Sequence, residues 1–162
     1  MGTDFNANEV FEMAKQIEIN GAAFYREAAE AVNAEDHKNF LIELARMEDD
    51  HEKIFENMQK ELTAGEQTLL VFDPEDENAV YLKALADTRV FFKKEKPGSD
   101  MTQILKSAIQ TEKDSIVFYL GMKEMVPEKY GKSRINDIIK EEMSHLKLLS
   151  GKLKSEARGD LT

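Results

Sequence analysis

Two copies of a Glu-x-x-His motif lie far apart in the 162-residue sequence. Glu48 precedes His51 by three residues, and Glu142 precedes His145 by three residues. Residues three apart lie on one face of a helix, so each motif directs a carboxylate and an imidazole at the same point. Carboxylate oxygens and imidazole nitrogens are metal ligands as well as groups that move protons. The motifs therefore mark candidate sites for metal chemistry.

The two motifs belong to an internal repeat. A shift of 94 positions, without any gap, superimposes one motif on the other, and it also places Glu18 on Glu112 and Tyr25 on Tyr119. Each upstream glutamate lies thirty residues before the glutamate of its motif. The repeat therefore predicts one set of six candidate metal ligands: Glu18, Glu48, His51, Glu112, Glu142 and His145.

Four helices are predicted to position this set. Apolar residues recur at spacings of three and four along 7–32, 35–63, 100–125 and 129–156. Short connections around Asn33 and Pro127 join the helices into two antiparallel hairpins. Within each hairpin both glutamates lie fifteen residues from the tip, and therefore at one height, ~22 Å from it. Two packed hairpins would bring the six side chains to the centre of one bundle.

The connection between the two hairpins is about 35 residues long, which is too long for a plain loop in a compact domain. Asp73-Pro74-Glu75-Asp76 has the composition of a helix start, and Pro97-Gly98 of a helix stop. We therefore expect a short extra helix at about 74–93. The predicted fold is an all-α four-helix bundle with a long crossover, and residues 1–162 form a single domain.

Composition excludes several function classes. With 32 acidic and 22 basic residues the net charge is -10, which argues against nucleic-acid binding. The absence of cysteine excludes disulfides, thiolate metal sites and cysteine nucleophiles within the chain. No apolar run is long enough to span a membrane, and the first residues lack the features of a signal peptide. We therefore expect a cytoplasmic protein that does not associate with membranes.

The candidate ligands share their helix faces with apolar residues, so they are expected to face inward. Four buried carboxylates close together are intolerable as bare ions. Either protonation or a bound cation must neutralise them, and two divalent cations would cancel four negative charges. The third histidine, His37, has no acidic residue three positions before it and is expected at the surface.

The six-residue set resembles that of the ferritin-like di-iron carboxylate proteins, in which two helices each supply a glutamate and two others each supply a Glu-x-x-His motif. Within that superfamily the chain is most similar to the rubrerythrin family, from residue 7 to about 156. Tyr25, seven residues after Glu18, adds to the resemblance. The resemblance implies a ferritin-like fold and a reducing cytoplasm.

The resemblance also implies a division of the ligands between two iron ions, with Glu48 and Glu142 bridging them. One iron would be completed by Glu18 and His51, and the other by Glu112 and His145. Manganese and zinc are possible substitutes, because they accept the same donors.

The resemblance further implies reduction of peroxide or dioxygen, and it favours a homodimer. Tyr25 and Tyr119 become candidate catalytic residues that hydrogen-bond a carboxylate or a bound oxygen species, although ordinary packing would also account for them. Two other functional hypotheses remain: an iron-storage protein of the ferroxidase type, and a metal-stabilised structural bundle without turnover.

Two features depart from the rubrerythrin pattern. Rubrerythrins proper carry a rubredoxin-like domain with four cysteines, whereas this chain has none, so a separate electron-donor protein is expected. Rubrerythrins also tend to have a further glutamate three residues after the position of Glu112, where this chain has Ser115. The missing ligand predicts inefficient peroxidase turnover.

Overall fold

The computed structural model describes residues 7–62, 97–126 and 128–158. These residues form four long helices, with a 3₁₀ turn at Glu128–Tyr130 before the last, and no strand occurs among them. The helices are α1 (Ala7–Ala31), α2 (Glu35–Lys60), α3 (Met101–Met125) and α4 (Lys132–Ala157). The predicted all-α, four-helix architecture is confirmed. None of the described helices is long and apolar enough to cross a membrane.

The helix ends lie within a few residues of those predicted. Asp100 begins α3 by accepting a hydrogen bond from the backbone N–H of Thr102 at 3.0 Å. The last helix begins at Lys132, three residues later than expected, because Gly131 has a φ of 109° that no right-handed helix admits. The predicted crossover helix at about 74–93 lies outside the described residues.

The helices pair as the two predicted hairpins, α1 with α2 and α3 with α4. A first apolar cluster extends from the open end of the first hairpin, at Val10 and Leu62, to the tip of the second, at Val126. A second apolar cluster extends from the tip of the first hairpin, at Val32, to the open end of the second, at Met101. The two hairpins therefore run in opposite directions, and the middle of every helix lies between the clusters.

Candidate metal centre

The six predicted ligands lie together in this middle layer. Each is almost fully buried, and the most exposed of them, Glu48, is only 4% exposed. Every helix contributes, because α1 and α3 each carry one glutamate, while α2 and α4 each carry a Glu-x-x-His motif. The equal distance of the glutamates from the tip places the candidate ligands of each hairpin at one level. The packing of the two hairpins brings the two levels together.

Candidate ligand atoms within 4.8 Å of one another form two groups among the described residues. One group contains Glu18 and His51, and the other contains Glu112 and His145; Glu48 and Glu142 belong to both. The structure therefore brings the six residues into the predicted division, with two carboxylates shared. That they bind metal remains a prediction.

Both histidines turn the same ring nitrogen toward the carboxylates. His51 Nδ1 lies 2.6 Å from Glu142 Oε1 and 3.5 Å from Glu18 Oε1. His145 Nδ1 lies 3.6 Å from Glu112 Oε1 and 3.8 Å from Glu142 Oε1. The two rings stack at a centroid separation of 5.8 Å and an interplanar angle of 20°. The nitrogens and carboxylates thus converge on one small volume.

Many of these atoms approach one another without forming hydrogen bonds. Six buried polar atoms of the centre have no hydrogen-bond partner among the described residues: Glu48 Oε2, His51 Nδ1, His51 Nε2, Glu112 Oε2, Glu142 Oε1 and His145 Nδ1. An unsatisfied buried polar group costs about 1–3 kcal/mol, so a cluster of them calls for an explanation. Divalent cations would satisfy them, and a donor set of four carboxylates and two imidazoles fits two such ions.

The carboxyl groups of the centre differ in the direction of their pKa shifts. Burial raises the pKa of Glu48 and Glu142 well above the ordinary value, and the charges of neighbouring carboxylates add to the rise. Burial alone would also raise the pKa of Glu112, but its interactions with Glu142 and His145 outweigh that effect and hold the pKa at about 2. Without metal, part of the cluster therefore keeps its protons, which a metal ion would displace.

His51 holds its proton strongly in the metal-free centre. Burial lowers the pKa of its imidazole, but the adjacent carboxylates of Glu142 and Glu18 prevail and raise it to about 11. A cationic imidazole offsets part of the negative charge of its neighbours. Metal binding at Nδ1 must replace this proton.

Two tyrosines connect the hairpins at the edge of the centre. Tyr25 donates to Glu112 Oε1 at 2.8 Å, and Tyr119 donates to Glu18 Oε1 at 2.6 Å. Burial raises the pKa of both phenols well above the ordinary value, and the nearby carboxylates add to the rise, so both stay protonated as donors. Each tyrosine therefore orients a glutamate of the opposite hairpin. A catalytic role for the pair remains a prediction.

Small residues follow the glutamates of α1 and α3 by one turn. Ser115 is buried and donates its hydroxyl to the carbonyl of Thr111 at 3.0 Å, within its own helix. Gly21 is its counterpart in the repeat, and a Cβ atom there would lie 3.5 Å from the carboxyl carbon of Glu48. The backbone of α1 thus passes directly beside one of the shared carboxylates.

Sequence reasoning missed two residues that meet the outer nitrogens of the histidines. His51 Nε2 faces Glu141 Oε1 at 3.4 Å, and His145 Nε2 faces Met47 Sδ at 3.0 Å. Both residues directly precede a motif glutamate, so the 94-residue shift that revealed the ligands also pairs Met47 with Glu141. Their equivalent positions in the repeat were the signal in the sequence that could have identified them.

His37 stands apart from the centre, although it is less exposed than expected. Its side chain is 18% exposed, and Nε2 lies 3.2 Å from Glu156 Oε2. The contact joins the start of α2 to the end of α4, and His37 belongs to neither candidate ligand group. A structural role in joining the two helices follows.

Comparison with known proteins agrees with this architecture. A Thermotoga maritima protein described as ferritin-like and diiron-carboxylate has a similar fold, with a TM-score of 0.69, 24% identity, and coverage of 96% of this chain and 99% of that chain. A search of curated proteins found no match. The family model for rubrerythrin matches residues 9–153, which is nearly the whole chain. The chain therefore belongs to the rubrerythrin family.

Proposed function

We propose that this protein is a non-haem di-iron oxidoreductase that reduces hydrogen peroxide or dioxygen with electrons from a separate donor protein. The observation that carries the proposal is the set of six buried candidate ligands, which converge in two groups sharing Glu48 and Glu142. Five of the six have buried polar atoms without a hydrogen-bond partner among the described residues. Membership of the rubrerythrin family supports iron as the metal.

The chain's own residues would hold and orient the metal pair. Two bound ferrous ions would supply the two electrons that, with the uptake of two protons, reduce one hydrogen peroxide to two water molecules. Tyr25 and Tyr119 hold the glutamates of the opposite hairpin in place, while the apolar clusters above and below exclude bulk water. Burial keeps the candidate ligands in fixed positions, because water does not compete for their polar atoms.

The test begins with protein isolated without oxygen. We expect metal analysis to give two iron ions per chain. We also expect peroxide to oxidise the reduced protein in one two-electron step, which visible absorption spectroscopy would monitor. Repeated turnover should be slow without an added donor, since these 162 residues contain no cysteine to hold a relay iron. Absence of bound metal, or a reduced protein that neither peroxide nor dioxygen oxidises, would refute the proposal.

The Ser115 position supplies a second test. Glu112 and Ser115 lie one turn apart on α3, so Ser115→Glu would place a carboxylate beside the centre. If the missing ligand limits turnover, the variant should reduce peroxide faster when a good donor is supplied. Flat turnover with intact metal content would show that Ser115 is not the limiting feature.

We further propose a homodimer, in keeping with the family resemblance. Sedimentation of the loaded protein should give twice the mass of one chain. A particle of many subunits that retains iron far beyond two ions per chain would instead favour the storage function. Two bound metal ions that neither peroxide nor dioxygen oxidises would favour a structural role.

A further inference from the structure

The two histidines of the centre differ in what their outer nitrogens meet. Nδ1 of each faces the shared carboxylates, so Nε2 of each points away from them. For His51 the neighbour of Nε2 is a carboxylate oxygen of Glu141, whereas for His145 it is the thioether sulfur of Met47. The repeat is therefore symmetric in its ligands and asymmetric in the residues behind them.

This asymmetry has a chemical consequence for metal binding. An imidazole that binds a metal through Nδ1 carries its proton on Nε2, which then acts as a hydrogen-bond donor. A carboxylate acceptor behind the ring fixes its orientation and increases its basicity as a ligand. A thioether is a weak hydrogen-bond acceptor, so it orients the ring and increases its basicity far less.

Glu141 is able to serve as that acceptor. Its side chain is 58% exposed, so it is free to move by the few tenths of an ångström that separate the 3.4 Å contact from a hydrogen bond. His51 Nε2 is buried and has no hydrogen-bond partner among the described residues. A hydrogen bond to Glu141 would therefore satisfy a buried polar atom. Met47 packs against the second apolar cluster, and its sulfur is the atom that meets His145 Nε2.

We propose that the two metal positions bind with unequal affinity, the position of His51 being tighter because Glu141 acts as a positioning residue behind its imidazole. The inference rests on the proposed metal binding. It predicts ordered loading: the first metal ion occupies the His51 position, and the second enters beside His145 and Met47. It also assigns the weaker position as the one that exchanges its metal first.

The test is a titration of the metal-free protein with Co²⁺ in the presence of a competing chelator. The visible absorption bands of bound Co²⁺ report how much metal the protein holds. The wild type should show two binding steps that differ by about 10- to 100-fold in dissociation constant. Glu141→Met should weaken the tighter step by about that factor and bring the two steps together. Met47→Glu should tighten the weaker step, and Glu141→Gln, which keeps an acceptor oxygen, should be less affected than Glu141→Met.

Single-position proteins separate this role from a general effect of charge. In a His145→Ala protein, which keeps the His51 position, Glu141→Met should lower Co²⁺ affinity. In a His51→Ala protein the same change should have no effect, because the imidazole through which it acts is gone. Glu43→Met is the matched control, since Glu43 is 57% exposed, lies on α2, and pairs only loosely with Arg46 at 3.7 Å.

Three results would overturn the inference. The first is equal Co²⁺ affinity in the two steps, and the second is an unchanged titration in Glu141→Met. The third is the same loss of affinity on adding Glu141→Met to the His51→Ala and His145→Ala proteins. None of these results would contradict the di-metal proposal itself. A wild-type protein that binds no Co²⁺ or iron at all would instead refute the proposed function, and this inference with it.

Discussion

Each histidine completes one of the two ligand groups, and neither belongs to both. Glu48 and Glu142, in contrast, lie in both groups. His51→Ala or His145→Ala should therefore remove about one of two metal ions, because each group keeps its carboxylates but loses its imidazole. Metal analysis of the purified variants checks this. Full metal content in both variants would contradict the ligand assignment.

The tyrosine hydroxyls are the only part of Tyr25 and Tyr119 that a change to phenylalanine removes. Tyr25→Phe deletes the donor to Glu112, and Tyr119→Phe deletes the donor to Glu18. Each variant should lose about 1–3 kcal/mol in free energy of unfolding in the metal-free state, because a buried carboxylate oxygen loses its partner. Urea unfolding measures the change. Unchanged stability in both would mean that the hydroxyls only fill space.

At the scale of elements, the second hairpin depends on the residue between its 3₁₀ turn and α4. Gly131 has a φ of 109°, and a Cβ there would lie 2.5 Å from Met58 Cε. Gly131→Ala should therefore destabilise the protein by about 1 kcal/mol or more, since L-residues disfavour this conformation.

Gly151 is the matched control for that substitution. It lies within α4, and a Cβ there would meet nothing within 4 Å. Gly151→Ala should stabilise the protein by about 0.5–1 kcal/mol, because alanine loses less backbone entropy in a helix. Thermal unfolding of the two variants should move in opposite directions; a shift of the same sign would show that backbone conformation at Gly131 is unimportant.

For the whole molecule, the predicted metal centre should destabilise the fold when it is empty and stabilise it when metal is bound. Metal that binds only the folded state should raise the melting temperature, by an amount that grows with free metal concentration. The pair Glu48→Gln and Glu142→Gln should stabilise the metal-free bundle by removing two crowded carboxylates, while abolishing metal binding. Calorimetry with and without metal tests both. No shift in the wild type would mean that the carboxylates do not share a cation.

The stability of the metal-free protein should fall as pH rises from about 6.5 to 10. The contribution of His51 is complete below its ordinary pKa of 6.5 and is lost as pH rises through about 11. The raised pKa of Glu48 and of Glu142 acts in the same direction, because the folded state gives up their protons reluctantly above the ordinary value of 4.5. The contribution of Glu112 is lost only as pH falls through about 2, so it is constant in this window.

Urea unfolding at both ends of that range measures the effect. The Glu48→Gln/Glu142→Gln protein should show a smaller dependence on pH, since two of the responsible carboxyl groups are gone. A free energy of unfolding that is the same at about pH 6.5 and about pH 10 in the wild type would contradict the crowding of charge in the centre.

The amino-acid sequence by itself determined the helices, the hairpins and the set of candidate ligands. Helical periodicity is local, and equal distances from the tips at Asn33 and Pro127 place the glutamates of a hairpin at one level. The repeat at 94 residues then identified Glu18 and Glu112, which no short motif marks.

Only the tertiary structure decided how the hairpins dock and which side chains of different hairpins come into contact. The donation from Tyr25 to Glu112, and the contact of His51 with Glu141, join residues of different hairpins. The later start of α4 likewise follows from the left-handed conformation of Gly131. Spacing along a chain fixes heights within one hairpin, whereas the side on which another hairpin packs depends on how all the apolar faces fit at once.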